Sequence, residues 1–581
     1  MSVSLPDYRP LPSLRPAVIG KRYVVASGHH LASMAGIRVL ERGGNVVDAG
    51  VAAGLCLNVV QPDMAGLGGV APIMFCSGRT GEVMTISGVG RWPKAGTLDE
   101  IQRRGGDLTD GVLSLIVPAA LDAWILALRE FGTMSFGEVA RSAIELAEDG
   151  FAVNHFLHRN LHKAEERMAR CPSTRAVFLH RGRVPGPGER LVQRDLARTL
   201  QALGEAEGGA ASRHEGLTAV RDLYYKGQLA RRMASFCEEL GSFLTYDDLS
   251  GFAVKMEPAL RTSYRGYEVY ACGPWCQGPV VLQALNILEG YDMAGLPPAS
   301  APALHLVVEA LKAAFADRHA YYGDPEFVQV PVAGLLSKEY AATWRERIRQ
   351  DRATPGMPAP GNPWLLENGQ PAIRMAEPRP IAVSRHHSDT TYVCVGDSDG
   401  NAFSATPSDD VTGSPLVPGL GFAVSPRGHQ FWLEPEHPSC VAPGKRPRLT
   451  PSPGLVMRQG RCAIVYGTPG LDVQPQAMVQ FLVHAIDHGM GVMEAIEAPR
   501  VATYSFPGSM FPHPYEPGLL RAEARVTEAV CSDLSALGHR VESWPDWTPQ
   551  AGGLCAITFD HEEGFLAGGA DPRRLAYAIG W

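Results

Sequence analysis

Between His30 and Asn58 the apolar positions recur at near-helical spacing in two runs separated by Gly43 and Gly44. Ala32, Ala35, Ile37 and Leu40 share one face of the first run, and the second extends from Val46 to Leu57, so two consecutive helices are predicted. A Gly-rich turn, AGLGGVAPIMF, leads into a short strand at Ile73 to Cys76. Further helices are predicted over 135–149 and 303–320. In the latter, Leu304, Val307, Val308, Leu311 and Phe315 form one apolar stripe that reads as a core-facing side.

The pattern changes beyond residue 350. Residues 351–380 are rich in Pro and Gly and have no periodicity, so they read as a loop or linker. After them come TTYVCV, the turn signal GDSDGN and AFSAT, which predict a β-hairpin starting near Thr390. Strands near 463–466 and 554–559 flank a helix around 474–488, so the last third is mixed α and β. No repeat at solenoid period stands out.

Composition narrows the classes. The chain has 581 residues, 45% of them hydrophobic and 20% charged, which is the balance of a globular protein. The net charge is −8 without long single-sign runs, so the basic footprint of a nucleic-acid binder is missing. Three prolines fall between Pro6 and Pro12, and no continuous apolar run precedes Gly20, which argues against a secretory signal. No stretch reaches about 18 uninterrupted apolar residues, so no membrane span is expected. Eleven cysteines without a CxxC pair read as buried free thiols, and a cytoplasmic location is expected.

Several catalytic patterns are absent: HExxH, SxxK with KTG, the P-loop, GxGxxG and the EF-hand loop; the GDSDG spelling at 396–400 falls in a predicted hairpin turn and not in a strand-to-helix elbow. His386 and His387 stand beside Asp389, with His429 and His437 further on, but adjacent residues of an extended strand point to opposite faces. Neither a metal nor a cofactor is therefore expected. Thr390 remains. A Thr hydroxyl needs a neighbouring base, and the α-amino group of the same residue, with a pKa of about 8, is an economical one. That amine exists only after the preceding peptide bond is cut, and an internal Thr at a strand start after a long loop meets this need. Read without its neighbours, Thr390 is a residue placed for β-propensity, as most Thr residues in such runs are.

The neighbouring segments closely resemble the γ-glutamyltransferase family of N-terminal nucleophile hydrolases. The matching pieces include HLASMAGIRVLERGGNVVDAGVAA, AGLGGVAPIMF, AIELAEDGFAV, YRGYEVYACGP, EALKAAFADRHAYYGDP, DTTYVCVGDSDGNAFSAT, APGKRPRLTPSP, YGTPGLD and AIEAPR, spread over nearly the whole chain. The resemblance implies a four-layer αββα sandwich of mixed α/β class. It also implies a proenzyme that cleaves itself between Asp389 and Thr390, into a large subunit (1–389) and a small one (390–581).

Residue by residue, the resemblance makes Thr390 the nucleophile and Ser408 the hydroxyl that orients it, at a position where the family commonly has Thr. The oxyanion hole falls on the backbone of Gly470 and Leu471, where the family has two glycines. Thr391 matches the second Thr of the family's pair, and Tyr392 replaces a usual His. The substrate clamp departs more. The family's carboxylate-binding Arg aligns with Val89, with Arg91 two residues away; its Asn becomes Asp410, its amine-binding Asp becomes Gln430, and its Ser pair becomes Leu449 and Thr450.

These changes predict a cofactor-independent amidase or acyltransferase with a non-standard acyl group and water as main acceptor. A second reading is a true γ-glutamyltransferase whose clamp is rebuilt from Arg91, Arg427 or Arg448. A third, of another class, is an inactive homologue kept as a binding protein. The expected partners are a small-molecule amide and the two subunits of one precursor, with a higher oligomer possible.

Overall fold

The computed structural model describes residues 13–109, 111–367, 369, 378, 380–381 and 390–581. His386, His387 and Asp389 lie outside the described residues.

The two predicted N-terminal helices are His30–Glu41 and Val46–Val60. Asn45 starts the second. Its side chain accepts from Val47 N and Asp48 N, while Asp48 reaches back to Asn45 N in a capping box. Strand Ile73–Cys76 and helix Phe136–Asp149 also stand where the periodicity placed them. The hairpin consists of Val393–Asp397 and Ala402–Ala405, and strands Arg461–Gly467 and Cys555–Asp560 flank helix Gln474–Leu482 and the wider turn after it.

Two seven-stranded sheets form the centre. In one the order is Val18–Gly20, Phe565–Ala570, Cys555–Asp560, Arg461–Gly467, Gly454–Arg458, Tyr267–Ala271, Leu260–Tyr264. In the other it is Tyr577–Gly580, Tyr23–Ser27, Val393–Asp397, Ala402–Ala405, Ile73–Cys76, Val83–Ile86, Met256–Pro258. Neighbours in both sheets are antiparallel.

Three apolar layers follow from this stacking. Cys394, Met74 and Ala402 meet Leu455, Val465 and Ile557 between the sheets. Val393, Val395 and Phe403 face helices on one outer side, and Val456 and Tyr466 face helices on the other. The order is helix, sheet, sheet, helix, an αββα sandwich. Period-two alternation along residues 392–395 thus decides direction: Tyr392 and Cys394 point between the sheets, Val393 and Val395 toward the helices.

Helix 303–320 differs from its expected one-sided character. Ala301–Tyr321 is buried on every side, since the outer helix layer and a three-stranded sheet (Val501–Thr503, Leu519–Glu523, Arg540–Trp544) enclose it. Its polar residues are paired inside the protein. Asp317 accepts from Tyr340 Oη at 2.9 Å and from Trp344 Nε1 and Gln283 Nε2 at 3.0 Å, and Lys312 Nζ donates to Glu309 at 2.7 Å.

All eleven cysteines are free, and all but Cys171 and Cys531 are buried. No helix of the described residues is long and apolar enough to cross a membrane.

Candidate active site

Thr390 sits just before strand Val393–Asp397, in the middle of its sheet. The hairpin pairs Val393 with Ala405, and the same register, carried three residues outward, sets Thr390 opposite Ser408. Ser408 is held from its far side by Val70, through Ser408 N→Val70 O at 2.9 Å. The Thr390 Oγ1 and Ser408 Oγ atoms are 3.0 Å apart, and both residues are buried.

Parity along the strand sends Thr391 the other way. Its Oγ1 donates to Gln61 Oε1 at 2.6 Å, just beyond helix Val46–Val60, and Gln61 Nε2 donates to Gly28 O at 3.0 Å. Gly28 has no alternative here, because a β-carbon on it would stand 2.2 Å from Thr391 Oγ1 and 2.6 Å from Gln61 Oε1. Gly28, Gln61, Phe156, Pro469 and Arg574 line a recess that includes Thr390 and Thr391.

Arg427, on a short turn Arg427–Gln430, stands behind Ser408, on the side away from Thr390. It is fully buried, pairs with Asp409, donates to Ser408 Oγ, and reaches Thr450 Oγ1 at 3.2 Å. A guanidinium can only donate, so it occupies a lone pair of Ser408 and leaves the Ser408 proton to be donated. Pointed at Thr390 Oγ1, that proton stabilises negative charge developing there. Sequence reasoning placed Arg427 only among possible clamp residues; the structure pairs it with Asp409 and Ser408 instead.

Gly470 and Leu471 follow strand Arg461–Gly467 in a tight turn, both with positive φ, 127° and 52°. Only Gly adopts the first readily, whereas Leu in the second is strained by about 1–2 kcal/mol. Gln277 Nε2 holds the turn by donating to Leu471 O at 2.8 Å. Among the described residues neither backbone N–H of the pair is used in a hydrogen bond. Such donors are what an oxyanion site requires.

The remaining predicted residues separate into those near this network and those engaged elsewhere. Thr450 accepts from Gln430 Nε2 at 3.1 Å as well as from Arg427. Gln430 Oε1 has no partner among the described residues. Asp410 Oδ1 accepts from Thr412 N at 2.7 Å, its Oδ2 is likewise unpartnered, and burial pushes the carboxyl up to about 6. Leu449 is buried in the apolar layer between the sheets together with Val89, and its backbone pairs with Trp275 and Gln277. Arg91 is not brought to Thr390: it donates to Gly444 O at 2.9 Å and to both Glu326 oxygens at 3.0 Å.

One possible metal-ligating group was not visible in the sequence. His305, Glu309 and His539 bring ligand atoms within 4.8 Å of one another. His305 contacts Arg349 O through Nε2 at 2.7 Å and His539 Nε2 through Nδ1 at 2.9 Å. Glu309 is taken up by Lys312 and Thr354. A buried ammonium 2.7 Å from the carboxylate opposes a second cation, so the group is a satisfied hydrogen-bond network.

Residues 32–581 match the family described as gamma-glutamyltranspeptidase. The glutathione hydrolase-like YwrD proenzyme of Bacillus subtilis is 37% identical, covering 97% of this chain and 99% of that protein. The acylase ACY 1 proenzyme of a Pseudomonas species (strain SE83) is 36% identical, covering 95% and 92%. The crystal structure of cephalosporin acylase from Bacillus halodurans superposes with a TM-score of 0.86 at 28% identity, covering 100% of this chain and 99% of that one.

Proposed function

Because this chain belongs to the gamma-glutamyltranspeptidase family, we propose that it is a self-processing amidohydrolase with Thr390 as nucleophile. In maturation Thr390 Oγ1 attacks the carbonyl carbon of Asp389, the peptide C–N bond breaks, and an ester links the two segments. The hydroxyl proton passes to the departing nitrogen, which becomes the free α-amino group of Thr390, and water then hydrolyses the ester, restoring the Thr390 hydroxyl and leaving Asp389 with a C-terminal carboxylate. In turnover that amine takes the hydroxyl proton, Oγ1 attacks the substrate amide, and the oxyanion forms against the N–H groups of Gly470 and Leu471. The amine product leaves with the proton, and water releases the acyl group.

The observation that carries this reading is the Thr390–Ser408 hydroxyl pair, with Arg427 behind Ser408. Proenzyme and acylase names among the relatives support it. Denaturing gel electrophoresis tests it together with product detection by mass on a panel of γ-glutamyl, dicarboxylic monoamide and N-acyl substrates. Two bands near the sizes of 1–389 and 390–581, with amide cleavage, are expected. A persistent single chain without turnover favours an inactive binding homologue.

One observation bears on the γ-glutamyl alternative with a rebuilt clamp. Arg91 is engaged by Glu326, and Arg427 by Asp409 and Ser408. Of the three arginines considered, Arg448 alone has buried guanidinium nitrogens without a hydrogen-bond partner among the described residues.

A further inference from the structure

Arg427 is aimed at Ser408 by a frame that begins in the Gly-rich turn at 65–70. A β-carbon on Gly69 would stand 2.1 Å from Ser408 O and 3.0 Å from Asp409 Cβ, and one on Gly68 would stand 2.1 Å from Ala423 O. Two backbone segments therefore lie against this turn only because it is glycine. Gly68 O also accepts from Ser425 N at 3.0 Å. Asp409 itself has a positive φ of 80°, a strained conformation that persists where its surroundings enforce it.

The frame closes on the guanidinium. Ser425 Oγ donates to one carboxylate oxygen of Asp409, Arg427 Nε donates to the other, and Arg427 Nη2 reaches Ser408 Oγ. Both members of the ion pair are buried. Such a pair is weak evidence for stability, because desolvation cancels much of its attraction. What the arrangement does secure is a fixed positive charge one hydroxyl away from Thr390 Oγ1, which lies 3.0 Å from Ser408 Oγ.

The mature nucleophile needs such a charge. An α-amino group with an ordinary pKa of about 8 is mostly protonated near pH 7, and in that form it cannot take the Thr390 proton. A neighbouring cation disfavours the ammonium and favours the free amine. Asp409 offsets this only in part, since the guanidinium is the member in contact with Ser408. The other ionisable groups around the site are Arg574 in the recess, held by Pro549 O at 2.9 Å, Asp410, turned to Thr412, Arg448, against Ser509, and His429 on the turn of Arg427. All of these stay in place when Arg427 is replaced.

Resting on the self-processing reading above, we propose that Arg427 is a positioning residue whose charge, applied through Ser408, keeps the α-amino group of mature Thr390 in its proton-accepting form and stabilises the charge that develops on Thr390 Oγ1. The hydroxyl proton passes to the amine, Oγ1 bonds the substrate carbonyl carbon, and Arg427 keeps all of its own protons.

The test compares the wild type with Arg427→Lys and with the double variant Arg427→Met, Asp409→Asn, which removes both charges and leaves no buried carboxylate unpaired. Rates are followed from about pH 5.5 to 9 on an amide that the wild type cleaves. In the double variant the acidic limb of kcat/KM should rise by about 0.5 or more in pH. Its kcat at pH 7 should be lower by about tenfold or more, with KM within about twofold. Arg427→Lys should keep most of the wild-type limb and part of the rate, since the charge remains without the planar fork. A cleaved and folded double variant whose limb stays at the wild-type pH, or which differs only in KM, overturns the assignment.

A second measurement needs no substrate. Acetic anhydride labels a free amine and not an ammonium, so the labelling rate of the Thr390 amine against pH, read from the mass of the small subunit's first peptide, follows its titration directly. The midpoint should be higher in the double variant than in the wild type, and equal midpoints overturn the assignment. If the double variant stays uncleaved, Arg427→Lys carries the test: it should mature and titrate like the wild type, and a Lys variant that also stays uncleaved overturns the role of charge. A wild type that neither cleaves itself nor turns over any amide fails the amidohydrolase reading and this assignment with it. A working wild type beside an unshifted double variant fails this assignment alone.

Discussion

Thr390 and Ser408 face each other across one unbroken β-register, with their hydroxyl oxygens 3.0 Å apart and Arg427 donating to the second from behind. The Thr390 hydroxyl is thereby set by strand pairing, and the Ser408 hydroxyl is approached from behind by a buried cation.

Thr390→Ala should block both self-cleavage and turnover, because one hydroxyl performs both attacks. Thr390→Ser should retain some of each, since only the methyl that restricts χ1 is lost. Normal two-band processing of Thr390→Ala on a denaturing gel would remove Thr390 from the mechanism.

Ser408→Ala should lower kcat with little change in KM, since it removes a hydrogen bond to the attacking oxygen. At about 1–3 kcal/mol the loss is about 5- to 150-fold. Ser408→Thr should restore most of the rate. A variant altered only in KM would show that Ser408 contacts substrate instead.

The oxyanion pair separates backbone from side chain. Leu471→Gly should keep activity and relieve the left-handed strain of the leucine, while Leu471→Pro removes the N–H and should cost about 100-fold or more in kcat. Equal rates for the proline variant and the parent would exclude that N–H from catalysis.

Asp410 and Gln430 reverse the order of amide and carboxylate that the family resemblance implies. If the site has lost its ammonium partner, wild-type turnover of γ-glutamyl-p-nitroanilide is low, and Gln430→Asp with Asp410→Asn raises it by about tenfold or more. Efficient turnover by the unmodified protein would refute the non-glutamyl reading.

Burial raises the Asp410 carboxyl from an ordinary 3.8 to about 6, so the folded protein binds this proton more tightly than the unfolded chain. The stability it contributes is complete below about pH 4 and is lost as pH rises through about 6. Asp410→Asn should therefore be more stable than the parent above pH 6, by up to about 3 kcal/mol, with a margin that vanishes toward pH 4. Thermal midpoints of both proteins across that range check this, and a constant difference at every pH would contradict it.

Much of the site was legible because it is local. The length of the GDSDGN turn fixes which residue faces which, so Ser408 lies opposite Thr390 once the hairpin is granted. Parity then sends Thr390 between the sheets and Thr391 toward the helices. What Thr391 meets there is not local: Gln61 is 330 residues away.

The sequence by itself determined the helical and strand periods, the hairpin and the turn at Gly470, since each rests on neighbours within a few residues, whereas the role proposed for Thr390 rests on a resemblance spread over nearly the whole chain. The closure of two sheets and their helix layers decided the rest. It made Ala301–Tyr321 buried all round, drew Arg91 to Glu326, set Arg427 behind Ser408, and left two guanidinium nitrogens of Arg448 without a partner among the described residues. Periodicity reports which face of an element is apolar, but charge pairing depends on which distant groups share a buried volume once water has been excluded, and that is a property of the assembled fold.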